Sequence, residues 1–189
     1  MTRAFDSRPL APGQLDTLLD LAARAPSAGN SQGWHAVVLE GADTRRFWDA
    51  TLPEPRRATF AWPRLLDAPV LVLPLADPDA YVARYGEPDK AATGLGAGPH
   101  AWPTPYWTVD AAMAVMTLLL AAEDAGLGAL FFAVFNGEQR LRADLGIPEG
   151  LQLLGAVALG HPAADGHRPG RSAGRARRPA SAFVHRGTW

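Results

Sequence analysis

Residues 106–135 read YWTVDAAMAVMTLLLAAEDAGLGALFFAVF, Tyr106 to Phe135, and this stretch decides the fold. From Ala111 to Ala122 there is no charge, and the apolar side chains fall on every side of a helix rather than on one stripe. That pattern predicts a core helix buried all round. Thr104 is the expected N-terminal cap, with Pro105 at the first helical position; Gly126 is the expected left-handed stop, with Leu127 folding back on the last turn. Leu127 to Phe135 is bulky, apolar and too short for another helix, so it reads as a strand inside a sheet. A buried helix feeding a buried strand lies between two layers. Because a domain of this size has difficulty covering such a helix on all sides, one of those layers can be a second copy of the chain.

Working outward, 189 residues with 48% hydrophobic composition suit one domain, 1–189, with a substantial core. The absence of cysteine excludes a disulfide frame and thiolate chemistry, and no charged-then-apolar leader opens the chain, so the cytoplasm is expected. The uncharged run is shorter than the roughly 20 residues of a membrane span, and no membrane partner is expected. A net charge of -1 argues against a nucleic-acid partner. The charge is uneven, however: residues 161–189 form a basic C-terminal tail with six arginines and one acid.

Before the central stretch, a helix starts near Pro12, shows Leu15, Leu18, Leu19 and Ala22 on one face, and stops before Pro26. Pro26 to Gly33 is a run of turn formers and small polar groups ahead of a strand, Trp34 to Glu40. Asp43 to Thr51 is a short helix, Pro53 to Pro63 is irregular, and Val70 to Leu75 is a second interior strand. Asp77 to Tyr85 is a helix with Pro78 in its first turn. Gly86 to Pro105 is long and rich in glycine, proline and aromatics, the profile of a lid or binding loop. After the central stretch, Glu138 to Leu145 is a helix and Leu151 to Leu159 a third core strand.

Motifs that would carry their own chemistry are absent. Gly94-Leu-Gly96 follows no strand and Gly126-Leu-Gly128 enters a strand, so neither is a dinucleotide fingerprint. Ala25-Pro-Ser-Ala-Gly29 lacks the glycine and the lead-in strand of a nucleophile elbow. The five histidines have no metal-ligand spacing, and no metal is expected. With no acid-base or nucleophile set, an enzyme of this sequence would take its reactivity from a bound cofactor. The residues suited to hold one are Ser27, Asn30 and Gln32, with Gly29 and Gly33 allowing close backbone approach, and Arg3 and Arg178, which can fork onto an anionic oxygen. The same loop also reads as a capped helix exit, and the same arginines as solvated surface.

Six segments together resemble the FMN-dependent nitroreductase family: Arg3-Ala-Phe-Asp6, Ala25-Pro-Ser-Ala-Gly-Asn-Ser-Gln-Gly-Trp34, Ala125-Gly-Leu-Gly128, Leu145-Gly-Ile-Pro148, Ala158-Leu-Gly-His-Pro162 and Arg178-Pro179. They occur in the family's order and cover nearly the whole chain. The resemblance implies an α+β fold, a three-layer α-β-α sandwich with a mixed sheet around a long buried helix. It also implies an intertwined homodimer with two FMN sites at its interface, NAD(P)H as electron donor and a small-molecule electron acceptor such as a nitroarene or quinone. By resemblance Arg3 stands beside flavin N1 and O2, where a cation favours the anionic reduced ring. Pro26, Ser27, Ala28, Asn30 and Gln32 form the loop that reaches the cofactor from the partner chain. Ala133 and Val134 form the strand end facing flavin N5, and Arg177 and Arg178, with Arg175, grip the phosphate.

Trp102, Tyr106 and Trp107, in or beside the 86–107 loop, are expected to line a substrate pocket. The family usually has a further arginine and serine just ahead of the position of Arg3, and here the chain begins at Met1. Losing one ionic hydrogen bond to phosphate is expected to weaken FMN binding by about one to two orders of magnitude unless tail arginines compensate. The departure keeps open a non-catalytic flavin- or deazaflavin-binding protein that stores or sequesters its ligand, and a dimeric relative without cofactor.

Overall fold

A computed structural model describes residues 1–164, 170 and 172–189; Asp165, His167, Arg168 and Arg171 of the basic tail lie outside the described residues. Its strands are β1 (Phe5–Asp6), β2 (Trp34–Glu40), β3 (Val70–Ala76), β4 (Gly128–Phe132), β5 (Gln152–Leu153) and β6 (Ala156–Pro162). Its α-helices are α1 (Gln14–Ala22), α2 (Thr44–Thr51), α3 (Glu54–Arg57), α4 (Pro78–Tyr85), α5 (Tyr106–Asp124) and α6 (Glu138–Leu145).

The strands make one sheet in the order β1-β6-β3-β2, with β4 also pairing β6 and β5 also pairing β3. Every pairing among the described residues is antiparallel, which corrects the expected mixed sheet. The cause is topological: none of these pairs is joined by the right-handed crossover that parallel neighbours need, and β2 turns back through α2 and α3 to run against β3.

The strict alternation of side chains along a strand sorts β3 and β6 onto two cores. Leu71, Leu73, Ala156 and Ala158 pack with Phe47 and Trp48 of α2 and Leu141 of α6. Val70, Val72, Val157 and Leu159 pack on the other face with Leu15 and Leu18 of α1 and Val115 and Leu118 of α5. Helices therefore cover both faces of the sheet.

Pro74 sits in the interior strand β3 without breaking it. Its carbonyl accepts from Leu154 N at 3.0 Å, and its missing donor faces the same side, where pairing passes from β6 to β5. At that passage Gly155 has φ 146, and a Cβ there would lie 2.5 Å from the Phe132 carbonyl oxygen. The run expected as one strand from Leu151 to Leu159 is accordingly two. The strand expected from Leu127 to Phe135 ends at Phe132, where the ladder with Ala156 ends. The segment expected to be irregular carries the one-turn α3.

Helix ends follow local chemistry. Asp77 caps α4, accepting from Asp79 N at 2.9 Å and Ala80 N at 3.3 Å, as the Asp77-Pro78 pair predicts. Gly126, at φ 71, closes α5, and Leu127 N reaches back to Ala122 O at 2.8 Å. At the other end the expected cap is corrected: Pro105 is itself the cap residue, and no side chain caps α5. The helix is also not buried all round within one chain. Ala111, Ala114, Leu118 and Ala122 are buried, whereas Met113, Met116 and Leu120 are 42%, 53% and 58% exposed. By length and composition α5 is apolar enough to cross a membrane, yet its buried side belongs to the sheet and carries the carboxylate of Asp110.

Candidate functional site

The N-terminal segment fixes Arg3 at the end of the sheet. Thr2 N donates to Ala129 O at 2.9 Å on β4, and Phe5 and Asp6 pair with Pro162 and His161 on β6, so the residue between them has little freedom. The Arg3 guanidinium carbon lies 5.2 Å from the ring centre of Trp62, a cation-π distance. The same arginine borders a hollow of about 370 Å³ walled by Trp48, Phe60, Trp62, Ala133 and Val134. Trp48 stacks on Phe132 at 6.0 Å with the planes 3° apart, which stiffens one wall. Ala133 and Val134 lie just past the last rung of the β4–β6 ladder. Among the described residues their backbone N–H groups meet no backbone or side-chain acceptor, so the strand end leaves donors at the hollow.

Arg3, Met1 and Trp62 also border a second hollow of about 770 Å³, which Arg175 and Arg177 enter from the C-terminal tail. Among the described residues no carboxylate lines it, and none of the three arginines makes an ion pair. Three guanidiniums around one space, none of them paired among the described residues, favour the entry of an anion, and their fork geometry suits phosphate. Arg178 is not among them; its guanidinium carbon is 5.7 Å from the ring centre of Phe183.

The polar loop lies elsewhere. Pro26, Ser27 and Gln32 line a hollow of about 260 Å³ together with Trp34, Tyr81 and Asp110, on the α5 side of the sheet. Asn30 and Gln32 adopt φ 55 and 50, left-handed values that side chains other than glycine seldom take. Several bonds hold the loop in that shape. Ser27 Oγ accepts from Gln32 N at 2.9 Å, Ser31 Oγ donates to Ala28 O at 2.6 Å, and Arg84 Nε donates to Gly29 O at 2.8 Å. Both terminal nitrogens of Arg84 donate to Asp89 at 2.8 Å, and those hydrogen bonds hold the Asp89 carboxyl below the usual carboxylate range.

Beneath the loop, Asp110 Oδ2 accepts from Ala28 N at 2.7 Å and from Tyr81 Oη at 2.8 Å. Asp110 is 6% exposed and Tyr81 1%. Burial, and then the hydrogen bond to Asp110, pushes the Tyr81 phenol pKa up and keeps the hydroxyl a donor.

Arg3, Ala133 and Val134 therefore share one hollow and Arg3 and Arg177 another. Ala133 borders the first of these three hollows, and among their described lining residues neither Asn30 nor Arg178 occurs. Trp102 and Trp107 are buried in a cluster with Tyr81, at ring distances of 5.8 and 6.3 Å, while Tyr106 is exposed at the start of α5. The 86–107 loop is thus a folded cap, and Trp102 Nε1 donates to Leu95 O at 3.0 Å inside it. Sequence reasoning missed Trp48, Phe60 and Trp62 as walls of the Arg3 hollow; their aromatic character in and beside a proline-broken segment was the available signal. It also missed Asp110, the only acid between Tyr106 and Ala122.

The nitroreductase family model matches residues 1–161. The chain is 30% identical over 179 residues to an NADH dehydrogenase of Thermus thermophilus, covering 87% of this chain and 83% of that one. It is 27% identical over 192 residues to an FMN reductase [NAD(P)H] of Bacillus subtilis, covering 99% of this chain and 70% of that one. Among solved structures, a hypothetical oxidoreductase of Bacillus subtilis superposes with a TM-score of 0.72 at 28% identity, over 100% of this chain and 70% of that one.

Proposed function

The chain belongs to the nitroreductase family, and from that premise we propose an FMN-dependent NAD(P)H oxidoreductase that passes electrons to a flat, electron-poor acceptor such as a nitroarene or quinone. Relatives named NADH dehydrogenase, nitroreductase and FMN reductase support a flavin-dependent oxidoreductase. The single observation that carries the finer reading is the position of Arg3, shared between an aromatic hollow and an arginine-lined one.

The residues present fit FMN. The aromatic hollow is within the usual size of a ligand pocket, roughly 300–1,000 Å³, and its flat indole and phenyl walls suit a planar ring system. Arg3 would hold negative charge at the edge of that ring. The donors of Ala133 and Val134 would point at its reactive edge, and Arg175 and Arg177 would take the phosphate. Bound there, the flavin supplies the hydride and electron transfer for which the side chains offer no groups of their own. Donor and acceptor would use one aromatic hollow in turn, giving a ping-pong route.

The exposed stripe of Met113, Met116 and Leu120 supports a homodimer built on α5. In such a dimer the Pro26–Gln32 loop of one chain would face the Arg3 hollow of the other, which accounts for their separation within a single chain. The experiment is to saturate the purified protein with FMN and follow NADPH and NADH consumption with a nitroaromatic and with a quinone. Turnover is expected; bound flavin without any turnover would remove the oxidoreductase reading.

A further inference from the structure

Asp110 is one of two buried polar residues among those described, the other being Thr44, and it is the buried carboxylate. No arginine, lysine or histidine pairs with it among the described residues; its partners are an amide and a phenol. A buried carboxylate without a counter-ion is unfavourable unless its hydrogen bonds do something that a neutral group would do less well. The loop above it is also unfavourable by itself, because Asn30 and Gln32 both take left-handed backbone. The two features meet at Ala28, whose amide is held by Asp110 and whose carbonyl takes the Ser31 hydroxyl, two residues before Asn30.

From this geometry we infer that Asp110, braced by Tyr81, is a positioning residue that fixes the Ala28–Gln32 loop in a high-energy shape and thereby presents Ser27, Asn30 and Gln32 to the flavin bound by the neighbouring copy. The inference rests on the flavin reading above and adds to it the group that sets the loop. Charge matters because an ionised acceptor holds an amide about twice as strongly as a neutral one. Tyr81 matters because its hydroxyl orients the carboxylate while its ring fills the space under Gly33, where a Cβ would come within 2.6 Å of Tyr81 Cε2. The hollow at this loop adds a further consequence. Ser27, Gln32 and Asp110 all line it, so a shift of the loop changes the polar wall seen from outside.

Two readouts test this, one independent of flavin. In the protein without added flavin, amide hydrogen exchange at Ala28 is expected to accelerate at least about tenfold in Asp110→Ala, with Asp110→Asn falling between it and the wild type, because asparagine keeps an acceptor but not the charge. In FMN titrations the dissociation constant is expected to rise in the same order, about tenfold for the alanine variant, with a changed visible flavin spectrum at saturation. If Asp110→Ala does not fold, Asp110→Asn against wild type carries the test, and both readouts must still move. Unchanged exchange at Ala28 overturns the inference. Faster exchange with an unaltered FMN affinity and spectrum overturns the positioning role. A wild-type protein that binds no FMN, with exchange at Ala28 responding as expected, contradicts the proposed function and the flavin half of the inference while the Asp110 anchor stands.

Discussion

Asp110 Oδ2 accepts the backbone N–H of Ala28 at 2.7 Å across 82 residues of sequence, tying the central helix to the polar loop that precedes β2. The same oxygen takes the Tyr81 hydroxyl, so one atom joins three segments.

Removing the Tyr81 hydroxyl should destabilise the fold without changing its shape. Tyr81→Phe deletes one buried hydrogen bond to a charged acceptor, and a loss of about 1.5–3 kcal/mol is expected in denaturant unfolding with an unchanged slope. A midpoint equal to that of the wild type would show that the hydroxyl contributes nothing to stability.

Tyr81 also sets an alkaline limit. Its folded pKa is raised above the usual phenol value of about 10, so the stability it contributes is fully present below that value. That contribution is lost as pH climbs toward the folded pKa, because only the unfolded chain ionises in that window. Above about pH 10 the wild type should lose stability more steeply than Tyr81→Phe. Parallel pH profiles for the two proteins would contradict this.

Gly33→Ala should be poorly tolerated. The added Cβ would lie 2.6 Å from Tyr81 Cε2 and 2.9 Å from Ala80 Cβ, inside a packed cluster that cannot move one ring alone. Overpacking of this kind is expected to cost about 1–3 kcal/mol, read as a lowered melting temperature.

Much of this arrangement was legible in the sequence. The Asp77-Pro78 start of α4, the bounds of β2 and α6, and the Gly126 stop of α5 are local signals, decided by caps, turns and side-chain period, and the structure keeps them. The missed features are non-local. Leu151 to Leu159 reads as one apolar run, and only the approach of Phe132 shows why Gly155 divides it. Asp110 lies one residue outside the uncharged run that marks the core helix, and its partners come from segments 29 and 82 residues away. The exposed stripe on α5 is the reverse case: the composition predicts burial, and a single chain leaves that face open.

Arg3 is expected to contribute to ligand affinity more than to folding. It makes no ion pair among the described residues and rests on Trp62. Arg3→Ala should leave the melting temperature of the protein without flavin nearly unchanged and weaken FMN binding about ten- to a hundredfold, the loss of one hydrogen bond to a charged group. Arg3→Lys should recover part of the affinity, since it restores charge but not the planar fork. Fluorescence titration checks both.

A charge placed on the open face of α5 should separate paired chains. Met116→Glu or Leu120→Glu puts a carboxylate where the exposed apolar stripe would meet its copy, and burying it there unpaired is costly. Gel filtration is expected to show the variants at monomer size while circular dichroism remains that of the wild type. Variants that elute with the wild type would rule out α5 as the contact face.

The central claim is that two copies of this chain hold FMN between them. Sedimentation velocity of the FMN-saturated protein, recorded in the visible flavin band and in the protein band together, tests it most directly. The account predicts one boundary in both bands, at twice the mass of the chain, with one flavin for each chain. A protein boundary at monomer mass with the visible signal left behind as free flavin would contradict it.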